Sequence, residues 1–101
     1  VADLKLDFDG DRSPVIASEF VGTSITSSPG SWQRNMPAIL AENRHFKYGN
    51  GEHRGYVRAS IAGGRFNAEL VGVDTVRKPE SRALVLARFV VESGKAGPQK
   101  I

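Results

Sequence analysis

The 101-residue chain has no cysteine, which excludes disulfides and thiolate metal sites. It has one tryptophan, one methionine and two histidines, His45 and His53. So few imidazoles, with no clustered ligand set beside them, do not make a dinuclear metal centre. No apolar run approaches the roughly 18 residues of a membrane span, so no membrane partner is expected. The 14 basic residues, set against 11 acidic ones for a net charge of +3, are scattered and form no stripe. That balance does not point to nucleic acid. The G-x-S-x-G nucleophile elbow and the GK[ST] phosphate loop are both missing.

What remains is a chain of ordinary globular composition, 40% apolar and 25% charged, long enough for one domain with a core. It opens on a strand pattern at Val1-Ala2-Asp3, with neither an initiator Met nor a visible signal-peptide pattern. That is expected of a processed chain or of a piece of a longer one. Leu4, Leu6 and Phe8 alternate with Asp3, Lys5 and Asp7, predicting a half-buried strand whose carboxylates face water. After a turn at Asp9–Pro14, Val15–Val21 reads as a second strand. Gly22–Ser31 is a loop of glycine and small hydroxyl residues. Asn35–Asn43 is the one helix candidate, with Asn35 as N-cap and Pro37 in its first turn.

The second half is patterned more strongly. Asn50-Gly51 signals a type I′ hairpin in which Tyr48 and His53 would pair. Gly63-Gly64 signals another, and pairing outward from it sets Ile61 opposite Phe66, Ala59 opposite Ala68 and Val57 opposite Leu70. The other face takes Ser60 with Asn67 and Arg58 with Glu69, so one register separates apolar from polar. In the same register Gly55 faces Gly72, leaving a hole that a side chain, another segment or a bend would fill. Ala83–Glu92 is apolar on both faces except at Arg88, the pattern of a central strand covered on both sides. Were one face left bare, an exposed apolar patch or self-association would follow. Ser93–Ile101 reads as a tail without periodicity.

No local motif supplies a complete catalytic set. The acidic turn Asp7–Arg12 has carboxylates at alternate positions, but Arg12 and Ser18 stand where a calcium loop needs Gly and Glu. The two histidines are not opposed in the expected hairpin and lack a third ligand. Glu19, at the end of an apolar strand, is a single carboxylate without a partner. Phe46, Tyr48 and Tyr56 among Arg and Lys suggest a second kind of function, a small basic sheet that binds single-stranded nucleic acid or a protein. The expected faces oppose it, since Phe66 lies with Ile61 and Tyr56 lies on the other side.

The runs SPVIASEFVGTSITS, NRHFKYGNGEHRGYVRASI and LARFVVESGKAGP, in this order, resemble the C-terminal part of alkaline phosphatase D-like (PhoD-like) enzymes. These bacterial metallophosphatases belong to the calcineurin-like phosphoesterase group. The resemblance covers about Val1 to Pro98. Where the family commonly has Asn-Pro-His, Asn43-Arg44-His45 stands here. The resemblance implies an α+β, mostly antiparallel fold of about six strands and one short helix, a portion of the αββα sandwich. It implies that residues 1–101 are an incomplete domain, whose Gly-Asp-x-His motif and other metal ligands lie upstream. The parent activity is hydrolysis of phosphate monoesters or diesters with divalent or trivalent metal ions, calcium and iron. No metal is expected on this chain alone, which would be inactive. The resemblance places Glu19, Thr23, Ser24 and His45 nearest the site, in orienting or substrate-contact roles. It also implies a periplasmic or extracellular setting, a phosphate ester as substrate and no nucleic-acid partner.

Overall fold

The computed structural model describes every residue except Pro29, which lies within the loop expected at Gly22–Ser31. Six strands and one helix follow in the order β1 (Ala2–Lys5), β2 (Val15–Glu19), α1 (Trp32–Glu42), β3 (Arg54–Ala62), β4 (Arg65–Val73), β5 (Ala83–Glu92) and β6 (Lys95–Lys100). β1 and β2 form a two-stranded antiparallel sheet, and β3-β4-β5-β6 form a four-stranded antiparallel meander. The small sheet lies against β6. The molecule measures 45 × 35 × 17 Å, a slab whose thickness allows one sheet and a single cover.

The β3–β4 hairpin has the register that the sequence predicts, pair for pair, from Ile61 opposite Phe66 to Gly55 opposite Gly72. Gly63 and Gly64 adopt φ of +56° and +72°, the two positive values that a type I′ turn requires. Gly55 and Gly72 meet because nothing larger fits. A Cβ on Gly55 would lie 1.9 Å from the Val71 carbonyl oxygen, and one on Gly72 would lie 2.7 Å from Leu86 Cδ1 and 2.9 Å from His53 Cβ. On the opposite face, Glu69 of β4 accepts hydrogen bonds from Arg58 Nε of β3 and Arg88 Nε of β5, joining three strands.

The expected Asn50-Gly51 hairpin does not form. A type I′ turn needs positive φ at both central residues, and neither residue has it. Instead Asn50 Oδ1 accepts from the backbone N–H groups of Glu52 at 3.0 Å and His53 at 2.8 Å, an Asx turn that asparagine favours. Residues 45–48 therefore pair along β1: Asp3 N–H donates to the His45 carbonyl at 2.8 Å, and Ala2 bridges Phe46.

The helix and the C-terminal stretch also depart from expectation. Helix α1 begins at Trp32, with Ser31 rather than Asn35 at its N-cap, and Pro37 sits inside it. An interior proline leaves the carbonyl four residues back without a partner, at a cost of about 3 kcal/mol. The added turn carries Trp32, which lies outside the expected Asn35–Asn43 span and is 59% exposed; its backbone makes the contact. Met36 and Leu40 close on Gly49, and the Trp32 backbone closes on Gly51. The supposed tail is β6, turned back on β5 through Gly94 at φ +78°. Gly97 and Pro98 hide its character in the sequence, yet both are buried. An edge strand accepts proline, and a side chain at Gly97 would crowd Asp3 and Val15.

The first strand ends at Lys5, and Leu6 is 75% exposed. Asp3, expected to face water, is buried and paired with Lys47 Nζ at 2.8 Å.

The buried apolar residues are Ala2, Ala68, Val71, Ala87 and Phe89. The Phe20 ring lies against Phe66 at 5.2 Å and Phe89 at 6.2 Å, and Tyr48 meets Phe89 at 6.1 Å. This cover stops short. Ile61 at the hairpin tip and Leu84 and Val85 at the start of β5 are exposed, so β5 is flanked by strands on both edges without being covered along its length.

Two outcomes test this account. Gly55→Ala is expected to destabilise more than Gly72→Ala, because its Cβ would meet backbone at 1.9 Å, whereas that of Gly72 would meet the side chains of Leu86 and His53 at 2.7 and 2.9 Å. Gly72→Ala should cost about 1–3 kcal/mol in urea denaturation. Hydrogen bonds from Arg88 and Arg58 hold the Glu69 carboxyl below the usual carboxylate range. Its contribution to stability is therefore present above the unfolded carboxylate pKa of about 4.3 and is lost as pH falls through the lower folded value. Glu69→Gln should flatten the acid limb of stability against pH, and the difference should shrink in high salt.

Candidate functional site

A groove of about 520 Å³ is lined by the strand–loop stretch Glu19–Ser28, by α1, by residues 48–51 and by the Arg54 end of β3 with neighbouring parts of β4 and β5. Its position follows from three local events. The Asx turn at Asn50 directs the chain from residues 45–48, which pair along β1, into β3. Gly51 lets the helix start approach. The hydroxyl loop is held to the β3 backbone where Gly55 N–H donates to the Ser24 carbonyl at 3.3 Å.

Arg54 is the residue that holds these parts together. It is 8% exposed. Its Nη1 donates to Ser24 Oγ at 3.3 Å and its Nη2 to the Gly51 carbonyl at 3.1 Å. One side chain thus ties the hydroxyl loop to the start of the turn beneath α1. The sequence reading singled out this step only for Gly55. The available signal was an arginine directly before an invasively packed glycine, and its burial is a tertiary property.

Of the four near-site positions, Glu19, Thr23 and Ser24 line the groove. All three are exposed. His45 does not line it; its ring lies against Phe8 at 4.7 Å and Phe46 at 4.5 Å. His53 does line it, with Nδ1 3.4 Å from Asn50 Nδ2. The aromatic residues of the binding-module reading are dispersed. Phe46 lies against His45, Tyr48 lies against Phe89, and Tyr56 is exposed on β3. Lys100 Nζ stands 5.6 Å from the centre of the Tyr48 ring, within cation–π range.

Among the described residues no three His, Asp or Glu side chains come together to hold a metal ion. The residues present therefore do not fit the metal centre that the family resemblance implies. No helix among them is long and apolar enough to cross a membrane.

With this geometry in view, comparison with known proteins is specific. The chain is 31% identical to alkaline phosphatase D of Bacillus subtilis (strain 168) over 102 residues, which covers 99% of the chain and 17% of that protein. It superposes on a solved structure titled "Structure of PhoD" with a TM-score of 0.77 and 24% identity, over 99% of this chain and 19% of that one. No family model matches. The fold is thus an α+β arrangement matching part of the PhoD, calcineurin-like, phosphoesterase fold. The chain corresponds to a partial, C-terminal-like stretch of an alkaline phosphatase D-family protein, and spans about a sixth of the length of the curated relative it matches.

Gly51 offers a check on the groove's construction. A Cβ there would lie 2.6 Å from the Trp32 carbonyl carbon and oxygen, so Gly51→Ala should displace the start of α1. The expected result is a loss of about 1–3 kcal/mol together with a changed emission maximum of Trp32, the sole tryptophan.

Proposed function

We propose that these residues form the C-terminal part of a phosphoric ester hydrolase, an alkaline phosphatase or phosphodiesterase, and that they turn over negligible substrate alone. The observation that carries this reading is the match to alkaline phosphatase D along 99% of the chain. The groove adds support, since it brings the loop hydroxyls of Thr23 and Ser24, the Glu19 carboxylate and the buried Arg54 to one concave surface.

In this reading residues 1–101 are an incomplete domain. The hydrolytic centre, with the calcium and iron ions of the family, draws its ligands from sequence outside them. This chain contributes wall and orientation. Arg54 fixes the loop, Thr23 and Ser24 present hydroxyls to an ester or to ordered water, and Glu19 accepts hydrogen bonds at the rim. His45 is a separate candidate on the β1 side. The exposed apolar residues at the start of β5 would be covered by the remainder of the domain or, without it, by a second copy. The setting is periplasmic or extracellular, in keeping with the family.

The test compares the purified chain with an in-frame polypeptide extended upstream, each assayed on p-nitrophenyl phosphate and bis(p-nitrophenyl) phosphate with added calcium and iron. The extended polypeptide should hydrolyse at least one ester and the 101-residue chain neither. Metal-dependent turnover by the chain alone, or an inactive extended polypeptide, overturns the proposal.

A further inference from the structure

The charge balance around Arg54 is unusual within this molecule. Arg44, Lys47, Arg58, Arg65 and Arg88 each pair with an Asp or Glu, and every one of these cations is at least 43% exposed at its side chain. Arg54 is 8% exposed, and no carboxylate pairs with it among the described residues. Its two hydrogen-bond acceptors, Ser24 Oγ and the Gly51 carbonyl, are neutral. Its Nε is shut off from solvent and has no partner. A buried charge without a counter-ion is costly, and the cost falls when an anion reaches it. A guanidinium has five N–H donors, so the two Nη groups retain donors beyond the bonds to Ser24 and Gly51.

From this imbalance, and from the place of Arg54 in the groove wall, we infer that the groove is an oxyanion site in which the phosphoryl group of an organic phosphate ester docks on Arg54. A guanidinium meets a phosphate with short, charge-assisted and often paired hydrogen bonds. The Ser24 hydroxyl, already accepting from Nη1, is left with its own proton to donate. Trp32, Met36 and Ile39 line the same groove and provide an apolar surface for the carbon part of the ester. A volume of about 520 Å³ suits a small organic ligand. Naming an ester as the ligand rests on the phosphatase reading, whereas the oxyanion site rests on Arg54 itself.

A carboxylate from protein outside these residues would supply the same counter-charge, so the experiment has two arms. The purified chain is titrated with inorganic phosphate and, separately, with acetate at matched ionic strength. The Nε–Hε resonances of Arg54, Arg58 and Arg88 are followed by NMR, and Trp32 emission is recorded in parallel. Phosphate should move the Arg54 resonance along a saturating curve that Trp32 emission shares, while the exposed Arg58 and Arg88 show no saturation. Acetate should bind more weakly. Arg54→Lys keeps the charge but loses the planar fork, and should weaken phosphate binding about tenfold or more.

The absence of a saturating Arg54 response in the wild-type chain overturns the inference even if the lysine variant fails to fold. Acetate binding as tightly as phosphate also overturns it and assigns Arg54 to a protein carboxylate, as does undiminished phosphate binding by a folded lysine variant. The phosphatase assay is independent of this one. A silent Arg54 in a chain whose extended form is active removes only the oxyanion site, and phosphate binding beside an inactive extended form removes only the hydrolase reading.

Discussion

The packing between the two sheets centres on Phe89. It is the only large side chain buried completely among the described residues; the rings of Phe20 and Tyr48 lie against it, and Phe66 lies against Phe20. Phe20 arrives from the end of the small sheet, Phe66 from β4 and Tyr48 from the stretch paired along β1. The remaining buried apolar residues are mostly alanine, and they bring backbones close without adding much apolar area. In a slab 17 Å thick, one well-placed aromatic cluster therefore joins the two sheets. Aromatic side chains suit that role because each removes a large area from water for few rotatable bonds.

The groove depends on a second constraint, the absence of side chains where segments cross. Gly51 allows the start of α1 to approach, and Gly55 and Gly72 allow β3, β4 and Leu86 of β5 to approach, at distances that a Cβ would forbid. Arg54 then spans the space that they leave. A long, planar, permanently charged group reaches two segments at once, which a shorter residue between two packed backbones would not do. The same arrangement leaves a charge inside the wall of a concave surface.

The legibility of the sequence varied with the range of the forces involved. The Gly63-Gly64 hairpin was readable throughout because turn geometry and cross-strand pairing are local and mutually consistent. Asn50-Gly51 carries an equally strong local signal, yet the asparagine side chain satisfied two backbone donors and pairing with β1 proved available. Pro37 marked a first turn by local rule, but the helix begins four residues further back, with its N-cap at Ser31 and not Asn35. β6 was invisible because its buried residues are glycine and proline, which have no hydrophobic periodicity to read. Glu19, Thr23 and Ser24, which the family resemblance brought forward, line the groove; Arg54 was not legible, since nothing local distinguishes a buried arginine from a solvated one.

The sequence by itself determined the meander's strongest hairpin, the α+β class, the position of the hydroxyl loop and the resemblance to alkaline phosphatase D. These follow from turn chemistry, alternation and motif order, which act between near neighbours in the chain. Only the tertiary structure decided that residues 45–48 pair with β1, that Asp3 is buried, that the C-terminal stretch is a strand and that Arg54 lies inside a groove wall. Each of those outcomes is set by contact between segments distant in sequence. Burial and charge compensation are properties of what surrounds a side chain, and the surroundings exist only once the chain has folded.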